Sequence, residues 1–150
     1  MNNPSPQLMQ NSSGRWALYW LPVIAYALLI FYLSSLPYPQ EHLPDVLELL
    51  SDKFLHFVEY AVFGVLAYGA FRWAAGATMA QYALPLAILA GSLYGLTDEI
   101  HQSFVPFRES SWQDWLADTI GATIGSLGAR YLLPSPARLE KLFDFRTTGS

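Results

Sequence analysis

The fold of this chain is decided by the stretch Gly91-Ser92-Leu93-Tyr94-Gly95-Leu96-Thr97-Asp98-Glu99-Ile100-His101-Gln102. It ends an apolar segment, because residues 73–97 contain no Asp, Glu, Lys or Arg. A helix of that length can cross the roughly 30 Å hydrocarbon core of a membrane. Asp98, His101 and Gln102 are three and four positions apart, so a helix places them on one face. The stretch therefore predicts a membrane helix that ends in a polar cluster.

The composition favours a membrane protein and argues against several other classes. Charged residues make up 13% of the chain and hydrophobic residues 53%, whereas soluble domains have about 25% charged residues. The net charge of −4 argues against nucleic acid as a partner. The chain has no cysteine, which excludes disulfides, thiolate nucleophiles and cysteine metal sites.

Four apolar segments predict an all-α, integral membrane four-helix bundle with short outer loops, spanning residues 15–134 as one domain. The predicted helices cover about residues 16–36, 52–73, 79–102 and 112–133. Pro85 is expected to kink the third helix, and Ser111 to cap the fourth, with Asp114 as the acid of a capping box. Residues 1–14 are polar and predict a disordered tail, and residues 135–150 predict a C-terminal tail.

The distribution of basic residues predicts the orientation in the membrane, because Lys and Arg are enriched on the cytoplasmic side. If both termini are cytoplasmic, six of the 8 basic residues lie inside: Arg15, Arg72, Arg130, Arg138, Lys141 and Arg146. The second helix then begins, the third ends and the fourth begins at the outer face. We therefore expect an outward-facing pocket rich in acids and histidines there.

The residues of this predicted pocket fit general acid–base chemistry. Glu59 or Asp98 would act as the acid or base, with His56 and His101 as catalytic partners. Arg108 would hold an anionic substrate group in bidentate fashion. The other predicted substrate-binding residues are Gln102, Glu99, Asp114 and Asp118. The same histidines and carboxylates, with Asp52, could equally hold a divalent metal, whose identity the sequence leaves open.

Each of these residues also has a structural interpretation. His101 could be a hydrogen-bonded histidine at the membrane interface, and Asp114 could be an acid in the first turn of a helix. Arg108 could form a structural clamp with Asp98 or Asp114. Glu59 and Asp98 lie inside segments that must span the membrane, where charged groups are costly and usually face the bundle interior. They are therefore either functional or part of a buried ion pair.

Three motifs in this order and spacing resemble the VanZ-like family, and the resemblance covers about residues 50–130. They are Asp52-Lys53-x-x-His56-Phe57-x-x-Tyr60, Asp98-Glu99-x-His101-Gln102-x-Phe104-x-Pro106-x-Arg108, and Asp114-x-x-Ala117-x-x-x-Gly121-x-x-x-Gly125. The resemblance implies a small, multi-pass protein of the bacterial cytoplasmic (inner) membrane. The family's name-giving member is an accessory factor in resistance to the glycopeptide teicoplanin. The chain departs from the family pattern at Phe107, where Gly is usual, and at Asp118, where Asn is usual.

The leading functional hypothesis is that the protein binds or acts on a lipid-linked or peptidoglycan-related component of the cell envelope, beside membrane lipid. It would thereby contribute to glycopeptide antibiotic resistance; whether it is an enzyme is left open. A second hypothesis is a proton-coupled transporter or flippase component that uses the same acids as proton carriers. Four helices are few for a transporter, so this version would need a homo-oligomer. A third is a non-catalytic membrane scaffold.

Overall fold

The computed structural model of the chain describes residues 6–37 and 52–133. These residues form five helices and no strand: α1 (Pro6–Ser34), α2 (Asp52–Trp73), α3 (Ala77–Ala80), α4 (Ala83–Gln102) and α5 (Trp112–Leu132). The prediction of an all-α fold is confirmed over this part of the chain. The predicted C-terminal tail at 135–150, and most of the loop after the first helix, lie outside the described residues.

The helix bounds match the prediction in α2 and α5 and differ in the other two long helices. α1 begins at Pro6, so residues 6–14, assigned to a disordered tail, are helical. The predicted helix over 79–102 is divided, since α3 ends at Ala80 and α4 begins at Ala83. Pro85 therefore lies in the first turn of α4, where proline is tolerated, and does not kink the middle of a helix.

Within the described residues, two helical segments are long and apolar enough to cross a membrane. They are Trp16–Ser34 in α1 and Asp52–Trp73, the whole of α2. α4 and α5 do not meet the same criterion. Both helices carry acidic residues near one end, and these residues lower the mean hydropathy of any stretch of the helix that includes them.

α2 and α5 pack so closely that their backbones touch. A Cβ at Gly121 would meet the carbonyl oxygen of Phe57, and a Cβ at Gly125 would meet that of Ala61. On the facing helix, a Cβ at Gly64 would meet the carbonyl oxygen of Ala122. Small residues at these positions permit the approach, as they do between membrane helices. α4 joins the pair through Gly91, whose missing Cβ makes room for the side chain of Ala122.

α1 is joined to the other helices by tyrosine hydroxyls that bond to backbone carbonyls. Tyr94 of α4 donates to the carbonyl oxygen of Ala27 at 2.6 Å. Tyr26 of α1 donates to the carbonyl oxygen of Glu59 at 3.2 Å. The first contact therefore joins α1 to α4, and the second joins α1 to α2.

Large apolar side chains point outward on all four long helices. On α4 and α5 they form stripes at helical spacing. The outward-facing residues are Leu18, Leu21, Leu28 and Phe31 on α1, Val58 and Val62 on α2, Leu89, Leu93, Leu96 and Ile100 on α4, and Leu116, Ile120 and Ile124 on α5. The interior, by contrast, is rich in alanine and in polar residues.

The loop between α4 and α5 contains a strained residue. Phe107 has φ of 65°, which makes it the one residue other than glycine with positive φ in the described part of the chain. This left-handed conformation favours glycine, because a Cβ crowds the following carbonyl oxygen. Glycine is the residue usual at this position in the VanZ-like pattern, so the phenylalanine occupies a backbone conformation suited to glycine.

We expect Phe107→Gly to melt at a higher temperature in detergent than Phe107→Ala. The left-handed conformation costs a non-glycine residue about 1–2 kcal/mol, and the extra freedom of glycine in the unfolded chain removes about 0.5–1 kcal/mol of that gain. Phe107→Ala is the matched control, because it shortens the side chain and keeps the strain. A glycine variant that melts no higher than the alanine variant would contradict this prediction.

Candidate functional site

Six polar residues are buried together where α2 and α5 begin and α4 ends. We call them the acid–histidine cluster: His56, Asp98, Glu99, Gln102, Asp114 and Asp118. Burial of a polar or charged group costs free energy unless the group finds a partner. The partners of each member therefore indicate what the cluster can do.

The contact between His56 and Asp118 is the most buried interaction of the cluster. The Nδ1 atom of His56 lies 3.0 Å from Oδ1 of Asp118, and Asp118 is 0% exposed. An ionised carboxylate only accepts hydrogen bonds, so Nδ1 carries the proton and donates it. A neutral His56 then has its lone pair on Nε2. The pair therefore fixes both the ring orientation and the tautomer of the histidine.

α4 contributes two neighbouring carboxylates, and each has one oxygen bonded to the protein. Asp98 accepts a hydrogen bond at Oδ2 from Nε2 of Gln102, at 2.9 Å. Glu99 accepts a hydrogen bond at Oε2 from the backbone N–H of Ser111, at 2.7 Å. The second contact joins the end of α4 to the N-terminus of α5.

The N-terminus of α5 is capped as predicted, with one difference. Ser111 accepts a hydrogen bond at its hydroxyl oxygen from the backbone N–H of Asp114. In a capping box the acid would bond to the backbone N–H of the cap residue, but Glu99 occupies that position. The carboxylate of Asp114 instead accepts the hydroxyl proton of Ser111 and lies 3.1 Å from Nζ of Lys53. Asp114 is thus both a capping residue and the partner of a cation.

Some buried polar atoms in and next to the cluster have no hydrogen-bond partner among the described residues. They include Oε1 of Glu99, Oδ2 of Asp118 and the hydroxyl of Tyr60. Tyr60 is 0% exposed and was not predicted as a site residue. The sequence contained one indication of this role: Tyr60 lies four residues after His56, so both residues are on one face of α2.

Two groups of side chains in the described residues have the spacing of metal ligands. His56, Asp98 and Glu99 form the first group and are all buried. Asp52, His56 and Asp114 form the second, in which Asp52 is exposed. In each group, the ligand atoms, one per residue, lie within 4.8 Å of one another.

Glu59 lies at the margin of the cluster and is only partly buried. The charged groups close enough to act on its carboxylate include His56, Asp98 and Asp118. Its backbone carbonyl accepts the hydroxyl proton of Tyr26. Glu59 is therefore near the buried acids and also close to α1.

His101 and Arg108 contact α1 and are not bonded to the acids of the cluster in the described residues. Nε2 of His101 lies 3.0 Å from Oγ of Ser35, and its ring packs on Phe31 with ring centres 4.6 Å apart. Ser35 gives its own hydroxyl proton to the carbonyl oxygen of Phe31, so Nε2 of His101 is the donor. The catalytic role predicted for His101 would thus have to rely on its other nitrogen.

Arg108 donates hydrogen bonds to two backbone carbonyls at the C-terminal end of α1. Its Nη2 is 2.7 Å from the oxygen of Leu33, and its Nε is 3.3 Å from that of Leu36. Carbonyls at a helix C-terminus lack partners within the helix and carry partial negative charge, so a cation is favourable there. The structural clamp considered for Arg108 is therefore made with α1. Its substrate-binding role stays a prediction.

A cavity of about 690 Å³ lies at the opposite end of the helices. It is lined where α2 and α5 end and α4 begins, by residues that include Tyr68, Arg72, Trp73, Gln81 and Arg130. No member of the acid–histidine cluster lines this cavity. The members of the cluster are instead buried between packed helices.

The fold and the site define a small all-helical protein with candidate membrane spans and ionisable groups enclosed between its helices. The chain belongs to the VanZ/LLP1 family, whose model matches residues 9–133. The resemblance found in the three sequence motifs is thereby confirmed. No curated protein and no solved structure gives a match to the chain.

We expect Arg108→Ala to lower the melting temperature of the protein without any ligand. Hydrogen bonds that involve a charged group contribute about 1.5–3 kcal/mol; partial exposure of Arg108 reduces the expected loss to about 1–2 kcal/mol. Arg108→Lys should recover part of the loss, because lysine keeps the charge but lacks the guanidinium fork.

Arg72→Ala is the control, since Arg72 is an exposed arginine at the other end of the helices. If Arg108→Ala melts like the wild type and the Arg72 variant, the two carbonyl contacts do not stabilise the fold. A purely substrate-binding role for Arg108 would then be favoured.

Proposed function

We propose that the chain is a multi-pass protein of the bacterial cytoplasmic membrane in which α1, α2, α4 and α5 span the bilayer. Both termini would be cytoplasmic, and the acid–histidine cluster would lie toward the outer face. The outward apolar stripes on the four long helices support this arrangement. Monomeric soluble proteins rarely expose contiguous apolar patches of more than a few hundred Å², whereas lipid covers such stripes favourably. The excess of basic residues at the other end supports the orientation.

We further propose that the cluster binds or acts on a lipid-linked or peptidoglycan-related component of the cell envelope and contributes to glycopeptide resistance. The observation that carries this proposal is the burial of five ionisable side chains, one histidine and four acids, between apolar helices. Such residues are costly within a membrane and typically mark functional sites. Glu59, partly exposed beside the cluster, is more accessible than the buried acids to a ligand that arrives from the lipid or from outside.

The proposed orientation predicts opposite results for two reporter fusions. Alkaline phosphatase fused after Ser150 should be inactive, because this enzyme matures only outside the cytoplasm. The same enzyme inserted between Phe107 and Arg108 should be active. A green fluorescent protein fused at Ser150 should fluoresce and serves as the control for expression. Active phosphatase at Ser150 would overturn the orientation.

The functional proposal predicts that expression of the chain raises the teicoplanin concentration needed to inhibit a susceptible bacterium. Glu59→Gln and Asp98→Asn, which remove a charge with little change of shape, should abolish most of this increase at equal protein level in the membrane. Glu109→Gln is the matched control, because Glu109 is an exposed acid of the outer loop. Wild-type protein without effect, or site variants as effective as wild type, would contradict the proposal.

A scaffold role is the second candidate, and the hydrogen bonds within the cluster favour it. Asp98 accepts a hydrogen bond from Gln102 on its own helix, Glu99 accepts one from the N–H of Ser111, and Asp114 accepts one from the hydroxyl of Ser111. If the cluster is only structural, Asp98→Asn should lower the melting temperature and the resistance together. If the proposed envelope function holds, resistance should fall with little change in melting temperature.

A further inference from the structure

We propose that His56, Asp98 and Glu99 bind one divalent transition-metal ion, and that Asp118 orients the imidazole from behind. These three ligands come from α2 and α4, and each is buried. One ligand atom from each residue lies within 4.8 Å of those of the other two. A single ion holds such ligands at about 2.0–2.2 Å, so a small adjustment of the three side chains would bring all of them into contact with it.

Each proposed ligand uses one polar atom for a contact within the protein and retains a second. His56 uses Nδ1 with Asp118 and retains Nε2. Asp98 uses Oδ2 with Gln102 and retains Oδ1. Glu99 uses Oε2 with the N–H of Ser111 and retains Oε1. Protein groups that hold the far atom of each ligand are the usual support of a metal site, and a carboxylate behind a histidine is a common example.

The unpaired buried oxygens are a second, independent observation that points to a cation. Oε1 of Glu99 has no hydrogen-bond partner among the described residues, although Glu99 is 4% exposed. Oδ2 of Asp118 is likewise without a hydrogen-bond partner in this part of the chain, and Asp118 is 0% exposed. A buried carboxylate oxygen without a donor is unfavourable. A metal ion would supply the missing partner of Glu99 directly.

The charges around the cluster also favour a bound cation. Four buried carboxylates, those of Asp98, Glu99, Asp114 and Asp118, lie together. Lys53 is the basic residue seen paired with them, and its Nζ lies on Asp114. Asp98 and Glu99 therefore have no lysine or arginine partner among the described ion pairs. Buried charges in proteins are normally paired or coordinate a metal.

The alternative triple of Asp52, His56 and Asp114 fits less well. Asp52 is exposed, so it gains less from a metal than a buried carboxylate does. Asp114 already has Lys53 at one oxygen and the hydroxyl of Ser111 at the other. A second cation at Asp114 would be repelled by the ammonium group of Lys53. The site is therefore the one between α2 and α4.

The donor set indicates the type of ion. Imidazole nitrogen suits zinc and other transition metals, whereas magnesium and calcium prefer oxygen ligands alone. One imidazole and two carboxylates therefore fit Zn²⁺ or Mn²⁺. Three protein ligands also leave at least one coordination position for water or for a ligand.

The test uses the full chain in detergent, treated with a chelator and then titrated with Zn²⁺ or Mn²⁺ in a calorimeter. We expect one ion per chain and a higher melting temperature when the ion is bound. Glu99→Gln and Asp118→Asn should each weaken binding by about 10–100-fold, the effect expected from loss of a ligand or its support. Glu109→Gln should bind as the wild type does and is the control.

Several results would overturn the metal site. They are no binding to the wild type, tighter binding of Mg²⁺ than of either transition metal, and equal binding by the Glu99 and Glu109 variants. If a variant does not fold, X-ray absorption of the zinc-loaded wild type decides, because the site requires one imidazole among nitrogen and oxygen ligands. No imidazole, or two, would refute it. The outcome is independent of the teicoplanin experiment, since an ion can bind whether or not the protein confers resistance.

Discussion

The close contact between α2 and α5 is the constraint on which the rest of the structure depends. Gly121 lies against the backbone of Phe57, and Gly125 lies against that of Ala61. Backbone-to-backbone contacts cannot adjust as side chains do, so they fix the register of the two helices. Asp118 lies almost one turn before Gly121 and therefore reaches His56, the residue that precedes Phe57. The buried pair is thus a consequence of where the glycines lie.

The small residues that let the helices pack closely also make room for acids in the interior. Gly95 of α4 faces the carboxylate of Asp118, and a Cβ there would lie 2.8 Å from Oδ2. The space that a larger side chain would fill is thus occupied by a carboxylate. The buried apolar residues of the core are mostly alanines and aromatics. Aromatic rings of Tyr60, Phe63 and Tyr94 pack on one another, and Tyr60 and Tyr94 lie about one helical turn from His56 and Asp98.

Helical periodicity predicted much of the fold and part of the site. It located α2 and α5 and the face shared by Asp98 and Gln102, which are separated by about 40° around a helix of 3.6 residues per turn. His101 is about 100° from Gln102 on the same helix, and the structure directs it to α1. Such patterns do not predict the contacts between helices. Two examples are the hydrogen bond from the N–H of Ser111 to Glu99 and the contact of Arg108 with α1. Both depend on the conformation of the loop, which residue spacing along one helix does not specify.

The bond between Ser111 and Glu99 has a thermodynamic consequence. Ser111 caps α5, and its N–H also holds the carboxylate of Glu99, so the start of one helix and the charge at the end of another share a residue. A proton or ligand that binds the Glu99 carboxylate changes its electron density, and it thereby changes the strength of the hydrogen bond from the N–H of Ser111. By reciprocity, if a ligand of that carboxylate changed the equilibrium position of the loop before α5, displacing the loop would change the affinity for that ligand by the same factor. The loop before α5 and the buried interior are therefore energetically coupled through one serine.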